Sequence, residues 1–165
     1  MDTNLLQAKA SKIVLLLTDV DGVLTDNGVY YSADGEVLKR FSIRDGMGVE
    51  RLRNYGIETG IITGENSGAV KKRAEKLGIT ELHLGSKDKG AVLIEILKRM
   101  QLQPSQIAFI GDDVNDLSII CKVGCTACPN DAMPQVSSVV DYVCKNKGGY
   151  GAFREFAEFI IAAKL

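Results

Sequence analysis

The sequence has no excess of charge of either sign and no long apolar segment. Twenty Lys and Arg residues stand against twenty-one Asp and Glu residues, for a net charge of −1, so no global positive field would attract nucleic acid or an anionic membrane. No apolar run approaches the roughly 20 residues that cross a bilayer. The N-terminal segment MDTNLLQAKASK also lacks the charged start and apolar core of a secretion signal. We therefore expect a cytoplasmic protein that binds neither nucleic acid nor membrane.

Residues that form disulfides or bind soft metals are scarce. The four cysteines are Cys121, Cys125, Cys128 and Cys144, and His83 is the single histidine. In the cytoplasm we expect these thiols to stay reduced. The spacing C-x3-C-x2-C of the first three also occurs in iron–sulfur and zinc sites, but the small residues around them favour a helix end that leads into a buried strand. His83 lies in the alternating segment ELHLG, which indicates a structural or surface role.

The alternation of apolar runs with helical segments predicts an α/β fold. Apolar runs such as KIVLLLTD, IETGIIT and QIAFIGD are separated by segments of helical period such as GVERLRNYG, SGAVKKRAEKLG and KGAVLIEILKRM. Helices of this length between strands indicate right-handed crossovers, and hence a Rossmann-like parallel sheet with helices on both faces. Because 45% of the residues are hydrophobic and no internal repeat occurs, residues 1–165 suit a single domain.

Two segments depart from this alternation. Residues 28–42, GVYYSADGEVLKRFS, contain two strand-like runs around Asp34-Gly35, which predicts a β-hairpin. Because the hairpin follows the first strand, we interpret it as a flap near the carboxyl end of that strand; an ordinary edge hairpin is the alternative. Residues 146–165 are predicted to form a glycine-rich tail and a final helix.

Acidic residues crowd the end of the first predicted strand. The apolar run LLLT is followed by Asp19 and Asp21, and Asp26 comes soon after. Carboxylates this close repel one another and are costly to dehydrate, so a cation or a proton must be part of the arrangement. In an extended backbone, side chains two residues apart leave on the same side. One carboxylate can then attack as a nucleophile while the other transfers a proton to the leaving oxygen.

Further polar residues follow the other predicted strands. In a parallel α/β sheet, ligands bind beyond the carboxyl ends of the strands. Asp112 follows the strand IAFIG and, with Asp19, offers the oxygen ligands that suit Mg²⁺. Thr63 and Gly64 end the strand IETGIIT and offer a hydroxyl and an open backbone N–H ahead of a helix N-terminus, which favours an anion. Lys89 begins the helix after ELHLG and supplies a counter-charge, so together these residues predict a phosphoryl pocket.

These segments resemble the four motifs of the haloacid dehalogenase superfamily. The motifs are DVDGVLTD, IITG, Lys89 within SKDKG, and GDDVND. In phosphatases of that superfamily the first Asp forms an aspartyl-phosphate, the second is acid and base, the Thr and Lys hold the phosphoryl group, and the late Asp binds Mg²⁺. By this resemblance the roles fall to Asp19, Asp21, Thr63, Lys89 and Asp112, with the Asp21 carbonyl as a further metal ligand and Asp113 and Asp116 in support.

The lengths between the motifs resemble those of members that lack a cap domain. From Asp21 to Thr63 there is room only for the hairpin and one helix, and from Thr63 to Lys89 only for a helix and a strand. Capless members include phosphatases of 3-deoxy-2-ulosonic acid phosphates, which are tetramers that close each active site with elements of a neighbouring subunit. The segments FSIRDGMG, KRAEKLGI and GGYGAFRE resemble this group over nearly the whole chain. The chain is thus similar to the 3-deoxy-D-manno-octulosonate 8-phosphate phosphatase family, which supplies a sugar of bacterial lipopolysaccharide; the resemblance implies a homotetramer.

A sugar acid needs a fixed cation and hydrogen-bond partners besides the phosphoryl pocket. The candidates are Arg44, Arg73 and Lys76, with Glu65 at the start of the same helix as the last two. Arg73 and Lys76 are three residues apart and share a helix face; a solvated charged face is the alternative. The octulosonate group often reads Gly-Arg where this chain has Gly64-Glu65. Glu65 with Arg73 and Lys76 resembles relatives that act on the 9-phosphates of deaminoneuraminate or N-acetylneuraminate, so a nine-carbon acid is the alternative substrate.

The glycine-rich tail is a second candidate contact with the substrate. Gly148, Gly149 and Gly151 would let the backbone approach a neighbouring subunit's substrate, and Arg154 would lie near an anion. A flexible linker before a surface helix is the alternative.

Other classes of protein fit these residues less well. A dehalogenase needs no second acidic residue at Asp21, and a phosphomutase usually needs a cap to retain its intermediate. Receiver domains also combine clustered Asp, Thr and Lys, but their Lys lies on the last strand, whereas Lys89 precedes Asp112 here. A catalytically silent phospho-acceptor or interaction domain is the non-enzymatic alternative, and the presence of both Asp21 and Lys89 argues against it.

Overall fold

The computed structural model describes residues 3–165, and its centre is a six-stranded sheet in which every neighbouring pair of strands is parallel. The strands in chain order are β1 Leu15–Thr18, β2 Thr25–Ser32, β3 Gly35–Phe41, β4 Glu58–Ile62, β5 Glu81–His83, β6 Ile107–Ile110, β7 Cys125–Cys128 and β8 Tyr142–Val143. The order across the sheet is β5-β4-β1-β6-β7-β8, and β2 pairs with β3 in a separate two-stranded sheet. The chain leaves β1 for β4 on one side and reaches β6 on the other, which makes the carboxyl end of β1 the crevice where ligands bind in such sheets.

Helices cover both faces of the sheet, as predicted. They are α1 Thr3–Ala10, α2 Ile43–Asn54, α3 Gly68–Leu77, α4 Lys89–Met100, α5 Leu117–Ile120, α6 Pro134–Ser137 and α7 Ala152–Ala162. Two apolar clusters lie on opposite sides of β1: Leu16 packs with residues of α2, α3 and α7, and Leu15 and Leu17 pack with residues of α4 and α5. The period of two along a strand explains this division. The α/β fold class predicted from the alternating pattern is confirmed.

Side-chain caps fix the starts of the helices that begin near the carboxyl edge. Ser67 Oγ accepts a hydrogen bond from Val70 N at 3.3 Å, and Asp88 Oδ1 accepts one from Ala91 N at 3.0 Å. Such caps satisfy backbone donors that have no partner inside the helix. The N-termini of α3 and α4 are therefore held in place beside the ends of β4 and β5.

The hairpin of β2 and β3 is longer than the predicted segment 28–42. Thr25 already pairs with Phe41, because β2 begins at the end of the short turn that follows Asp21 and carries the chain directly away from the sheet. Only this hairpin and α2 lie between β1 and β4, and only α3 lies between β4 and β5. Residues 3–165 thus contain no cap domain, in agreement with the prediction. No helix in this part of the chain has the length and apolar character to span a membrane.

Candidate active site

The carboxyl ends of β4, β1 and β6 open into a hollow of about 150 Å³. Of the residues predicted from the sequence, it is lined by Asp19, Asp21, Thr63, Gly64, Glu65, Asp112 and Asp113. A second hollow of about 230 Å³ lies beside it, and the two share Asp21, Asn27 and Glu65. The fold therefore brings residues from three separate strand ends into one place.

Asp19 lies buried directly after β1. Its backbone N–H continues the sheet by donating to Ile110 O at 3.0 Å. Its carboxylate accepts from Val20 N at 2.7 Å and from Lys89 Nζ at 2.9 Å, both at Oδ1. Burial and the nearby Asp116 raise the pKa of Asp19 to about 7, and Lys89 opposes them. These bonds all go to Oδ1, so Oδ2 is engaged by neither of these partners.

Lys89 is the cation at the centre of the site. It is the first residue of α4, 1% exposed, and its Nζ lies 2.9 Å from Asp19 Oδ1 and 2.6 Å from Asp116 Oδ1. Burial alone would lower the pKa of Lys89, but the two carboxylates outweigh it and the pKa is raised. The ammonium group is therefore charged at neutral pH and offsets part of the carboxylate charge.

Asp116 binds both Lys89 and the backbone that follows β6. It is fully buried. One oxygen accepts from Lys89, and the other accepts from Asp112 N at 3.0 Å and Asp113 N at 3.4 Å. Asp113 itself is exposed and caps the following turn through Val114 N. Both oxygens of Asp116 are thus engaged, so it holds Lys89 and the start of the Asp112 loop.

The carboxylate cluster fits a small divalent cation. Oxygen atoms of Asp19, Asp112 and Asp116 lie within 4.8 Å of one another, and Lys89 balances only part of their charge. Burial and the charge of Asp19 raise the pKa of Asp112 to about 7. Because Asp116 is engaged by other partners, Asp19 and Asp112 are the side chains left to hold an ion, and an all-oxygen set of this kind suits Mg²⁺.

The raised pKa values of Asp19 and Asp112 predict that the metal-free protein is more stable in mild acid. Both groups bind protons more tightly in the folded state, with a pKa of about 7 against the ordinary aspartate pKa of 3.8. The stability that these two groups contribute is therefore fully present below their unfolded pKa and is lost as pH rises through the folded pKa near 7. Each pKa unit is about 1.4 kcal/mol, and because the two neighbouring carboxyl groups raise each other's pKa we count the effect of one group only. On that basis we expect the melting temperature in EDTA to fall by about 5 to 10 °C between pH 5 and pH 8.

Addition of Mg²⁺ should raise the melting temperature more at pH 8 than at pH 5, because protons compete with the ion for the same oxygens. The Asp112→Asn variant serves as the control, since it should show a smaller dependence on both pH and Mg²⁺. A melting temperature in EDTA that is independent of pH would contradict this expectation.

Asp21 has a partner that the sequence did not reveal. Lys39 on β3 donates to both oxygens of Asp21, at 2.6 and 2.7 Å. A lysine in a hairpin is ordinarily solvated, and no local pattern marks this one. Lys39 contacts Asp21 because the hairpin folds back over the end of β1, which is a feature of the tertiary structure.

Asn27 is a second residue that sequence reasoning missed. Its backbone has φ 65°, a left-handed conformation that Asn tolerates better than most residues. The side-chain amide donates to Asp112 Oδ2 at 3.2 Å. Gly22, with φ 80°, lies so close that a Cβ there would be 2.0 Å from the same oxygen. The Asn-Gly pair at Asn27-Gly28 is the one signal, and it ordinarily predicts only a turn.

Thr63 and the residues after it form the opposite wall. Thr63 is buried, its N–H donates to His83 O at 2.9 Å, and its Oγ1 accepts from Glu65 N at 3.2 Å. Around Gly64 no atom would crowd an added Cβ within 4 Å, so the backbone faces open space. The wall thus offers a hydroxyl and an accessible backbone ahead of the N-terminus of α3.

The basic residues predicted to bind the sugar acid do not reach this hollow within one chain. Arg73 donates to Ser42 O at 2.8 Å and lies 5.7 Å from the ring centroid of Phe41. Lys76 lines a different hollow, of about 290 Å³, between α2 and α3. Arg73 lines the same hollow as Lys76, which confirms the shared helix face, and Glu65 lies at the first hollow as predicted. Within one chain α3 rises about 1.5 Å per residue away from that first hollow, and the contact of Arg73 and Lys76 with a substrate stays a prediction. Arg44 is exposed at the start of α2, with its Cδ close to Gly151.

The glycine-rich tail packs against its own chain. A Cβ on Gly148 would lie 1.8 Å from Gly22 O, and one on Gly149 would lie 2.5 Å from Asp26 N. Within one chain these glycines permit a close approach to the turn that follows Asp21; their approach to a neighbouring subunit's substrate stays a prediction. Arg154 Nε donates to Glu158 at 2.7 Å, so its guanidinium group is engaged within α7.

Asp45 joins the tail to α2. Its Oδ1 accepts from Arg154 N at 2.9 Å and its Oδ2 from Gly151 N at 3.2 Å, so the side chain caps α7 from another helix. Because loss of a cap or a buried hydrogen-bond partner costs about 1–3 kcal/mol, Asp45→Ala should lower the free energy of unfolding in urea by about that amount. Asp34→Ala at the exposed hairpin turn is the control; an equal effect of both would rule out the capping role.

The comparisons with known proteins agree with this geometry. A family model described as haloacid dehalogenase-like hydrolase matches residues 36–124. The 3-deoxy-D-manno-octulosonate 8-phosphate phosphatase of Yersinia pestis is 41% identical over 156 residues, which is 94% of this chain and 83% of that protein. The crystal structure of the Y. pestis phosphatase superposes with a TM-score of 0.95 at 40% identity and covers 98% of this chain and 87% of that one. The Moraxella catarrhalis phosphatase, solved with a magnesium ion, a phosphate ion and a KDO molecule, gives 0.94 at 37% identity, over 98% of this chain and 93% of that one.

Proposed function

This chain belongs to the haloacid dehalogenase-like hydrolases, and on that premise we propose that it is a Mg²⁺-dependent phosphatase of 3-deoxy-D-manno-octulosonate 8-phosphate. The observation that supports this best is the buried group of Asp19, Lys89 and Asp116, with Asp112 beside it, at the carboxyl end of the central strand. The relatives that match nearly the whole chain carry this substrate in their names.

The residues of the hollow can divide the reaction between them. Asp19 attacks phosphorus, and as the bond to the sugar oxygen breaks, Asp21 gives that oxygen a proton. Asp21 then takes a proton from the water that attacks phosphorus in the aspartyl-phosphate. The bond between phosphorus and the Asp19 oxygen breaks, which regenerates the Asp19 carboxylate and releases inorganic phosphate. Thr63 and Lys89 hold the phosphoryl oxygens. A Mg²⁺ ion held by Asp19, Asp112 and the Asp21 carbonyl would neutralise charge on the phosphoryl group.

The second hollow supplies the space for the sugar acid. It adjoins the first at Asp21, Asn27 and Glu65, and it runs under the hairpin, where Tyr31 and Lys39 also line it. Hydroxyl groups of a sugar can donate to Glu65 there. A carboxylate on the wall repels the substrate's own carboxylate, which therefore points away from Glu65.

Glu65 also favours a second candidate substrate. It lines both hollows, and together with Arg73 and Lys76 it resembles the corresponding residues of relatives that act on nine-carbon acids. A longer polyol chain has more hydroxyl groups to donate to Glu65, so deaminoneuraminate 9-phosphate or N-acetylneuraminate 9-phosphate is the alternative substrate.

Phosphate release with and without Mg²⁺ tests both candidates. We expect Mg²⁺-dependent release from ulosonic acid phosphates, with the larger kcat/KM for the eight-carbon substrate. Glu65→Arg should then raise the ratio of eight-carbon to nine-carbon kcat/KM, and Glu58→Arg, an exposed position at the far end of β4, is the control. A wild-type ratio that favours the nine-carbon substrate would replace the first candidate by the second, and no release from any phosphate would favour the interaction-domain alternative.

We further propose that the protein is a homotetramer in which the hairpins meet. The hairpin and the start of α2 expose large apolar side chains, among them Tyr30 at 62%, Tyr31 at 70% and Ile43 at 86%. Apolar surface of this kind marks an interaction site. Sedimentation equilibrium should give four times the chain mass, and Tyr31→Glu should shift the protein towards smaller species.

A further inference from the structure

Lys39 is a buried cation outside the predicted catalytic set. Its side chain is 1% exposed, and its Nζ lies 2.6 and 2.7 Å from the two oxygens of Asp21 and 3.5 Å from Glu36 Oε2. Val37, two residues earlier on β3 and therefore on the same face of the strand, is 56% exposed. The burial of Lys39 is therefore specific to this residue and does not extend along β3.

Burying an ammonium group costs several kcal/mol unless close partners compensate. Lys39 meets that condition mainly through Asp21, since both carboxylate oxygens accept from it. Asp21 in turn has a 22% exposed side chain at the rim shared by the two hollows, where it would otherwise be free to rotate. Within residues 3–165, its other side-chain hydrogen bond is a long one, at 3.5 Å from Thr25 Oγ1.

The inference rests on the proposed phosphatase function, in which Asp21 moves one proton to the leaving sugar oxygen and later takes one from water. We propose that Lys39 is a positioning residue that holds the Asp21 carboxylate at the rim of the two hollows for both proton transfers. Lys39 neither touches the phosphorus nor exchanges a proton; it restricts the rotation of Asp21, so that the carboxyl group stays within reach of the leaving oxygen and of the attacking water.

The hairpin is thereby part of the proton-transfer geometry. Glu36, three residues before Lys39 on the same strand, accepts a hydrogen bond from Ser67 Oγ at the start of α3. Strand β3 is thus bound to Asp21 through Lys39 and to the start of α3 through Glu36. These two contacts together fix the position of Lys39 relative to the site.

A double-mutant cycle with Asp21 tests this role. Steady-state kinetics in Mg²⁺ would be measured for wild type, Lys39→Met, Asp21→Asn and the double variant, on the sugar phosphate that wild type hydrolyses fastest. General acid–base catalysis contributes about 10² to 10⁴, so we expect Lys39→Met to lower kcat by about 10² with KM nearly unchanged. In the Asp21→Asn background the same change should have almost no effect, because Lys39 acts only through Asp21. Lys39→Arg should recover part of the loss.

Lys9→Met is the matched control, since Lys9 also forms a long-range pair, 2.6 Å from Asp141 Oδ1, far from the site. It should leave kcat unchanged, and thermal melting of every variant separates lost activity from lost folding. Should Lys39→Met fail to fold, Lys39→Gln takes its place in the cycle. Equal losses of kcat with and without Asp21, or a raised KM at constant kcat, would overturn the positioning role while leaving the phosphatase intact. A wild type inactive on every phosphate would instead overturn the proposed function and the inference together.

Discussion

Asp19→Asn should reduce phosphate release by on the order of 10⁴ or more, the scale seen when a nucleophile is removed. The amide cannot attack phosphorus, so no aspartyl-phosphate forms and no phosphoryl group can pass from the substrate to water. The variant should still fold, because Asn retains an oxygen to accept from Val20 N and Lys89 Nζ, as Asp19 Oδ1 does at 2.7 and 2.9 Å. The measurement is kcat with saturating Mg²⁺, together with a melting curve.

The control for this variant is Asp88→Asn, which removes one carboxylate charge next to Lys89. Asp88 caps α4, and Asn caps helices as well as Asp does, so this variant should keep nearly full activity. Comparable losses in both variants would mean that the charge near Lys89, and not a nucleophile at Asp19, carries the effect. Retained activity in Asp19→Asn would remove Asp19 from the proposed role altogether.

Lys89→Met should cause the largest loss of stability of any single change in the site. It leaves the buried carboxylates of Asp19 and Asp116 without the cation that lies 2.9 and 2.6 Å from them. Removing one partner of a buried ion pair costs about 3–5 kcal/mol, because the remaining charge is desolvated and unpaired. Urea denaturation in EDTA at pH 8 should show this loss.

The loss should shrink at pH 5, because Asp19, whose pKa burial raises to about 7, can take up a proton there in place of the missing cation. Saturating Mg²⁺ should also restore part of the stability at pH 8. Lys72→Met is the control: Lys72 pairs with Glu75 at 2.8 Å on the solvent side of α3, and exposed pairs contribute little. A Lys89→Met protein as stable as wild type at pH 8 would show that the carboxylates do not need this cation.

Much of the site could be predicted because its parts are marked locally. Asp19, Thr63 and Asp112 each follow a buried strand, and parallel strands bring their carboxyl ends to one edge. These residues, together with Lys89, can therefore be identified from the sequence without any distance. Their catalytic roles are still predictions, which the variants above test.

Other residues could not be placed because their neighbours are remote in sequence. Lys39 contacts Asp21 only because the hairpin folds back over β1, and a charged residue on a hairpin has no local mark that distinguishes a buried position from a solvated one. For Arg73, helical periodicity gave the face it shares with Lys76 but not the element opposite that face. The structure shows this element to be the end of β3 and the start of α2.

The amino-acid order by itself determined the α/β class, the strand ends that carry the carboxylates and the absence of room for a cap. These properties depend on periodicity and spacing, which are local. Only the tertiary structure decided that Asp116 holds Lys89, that Asp45 caps α7 and that the tail glycines approach the turn after Asp21. Those contacts join residues far apart in the chain, and their geometry depends on how whole elements pack, which no short segment of sequence encodes.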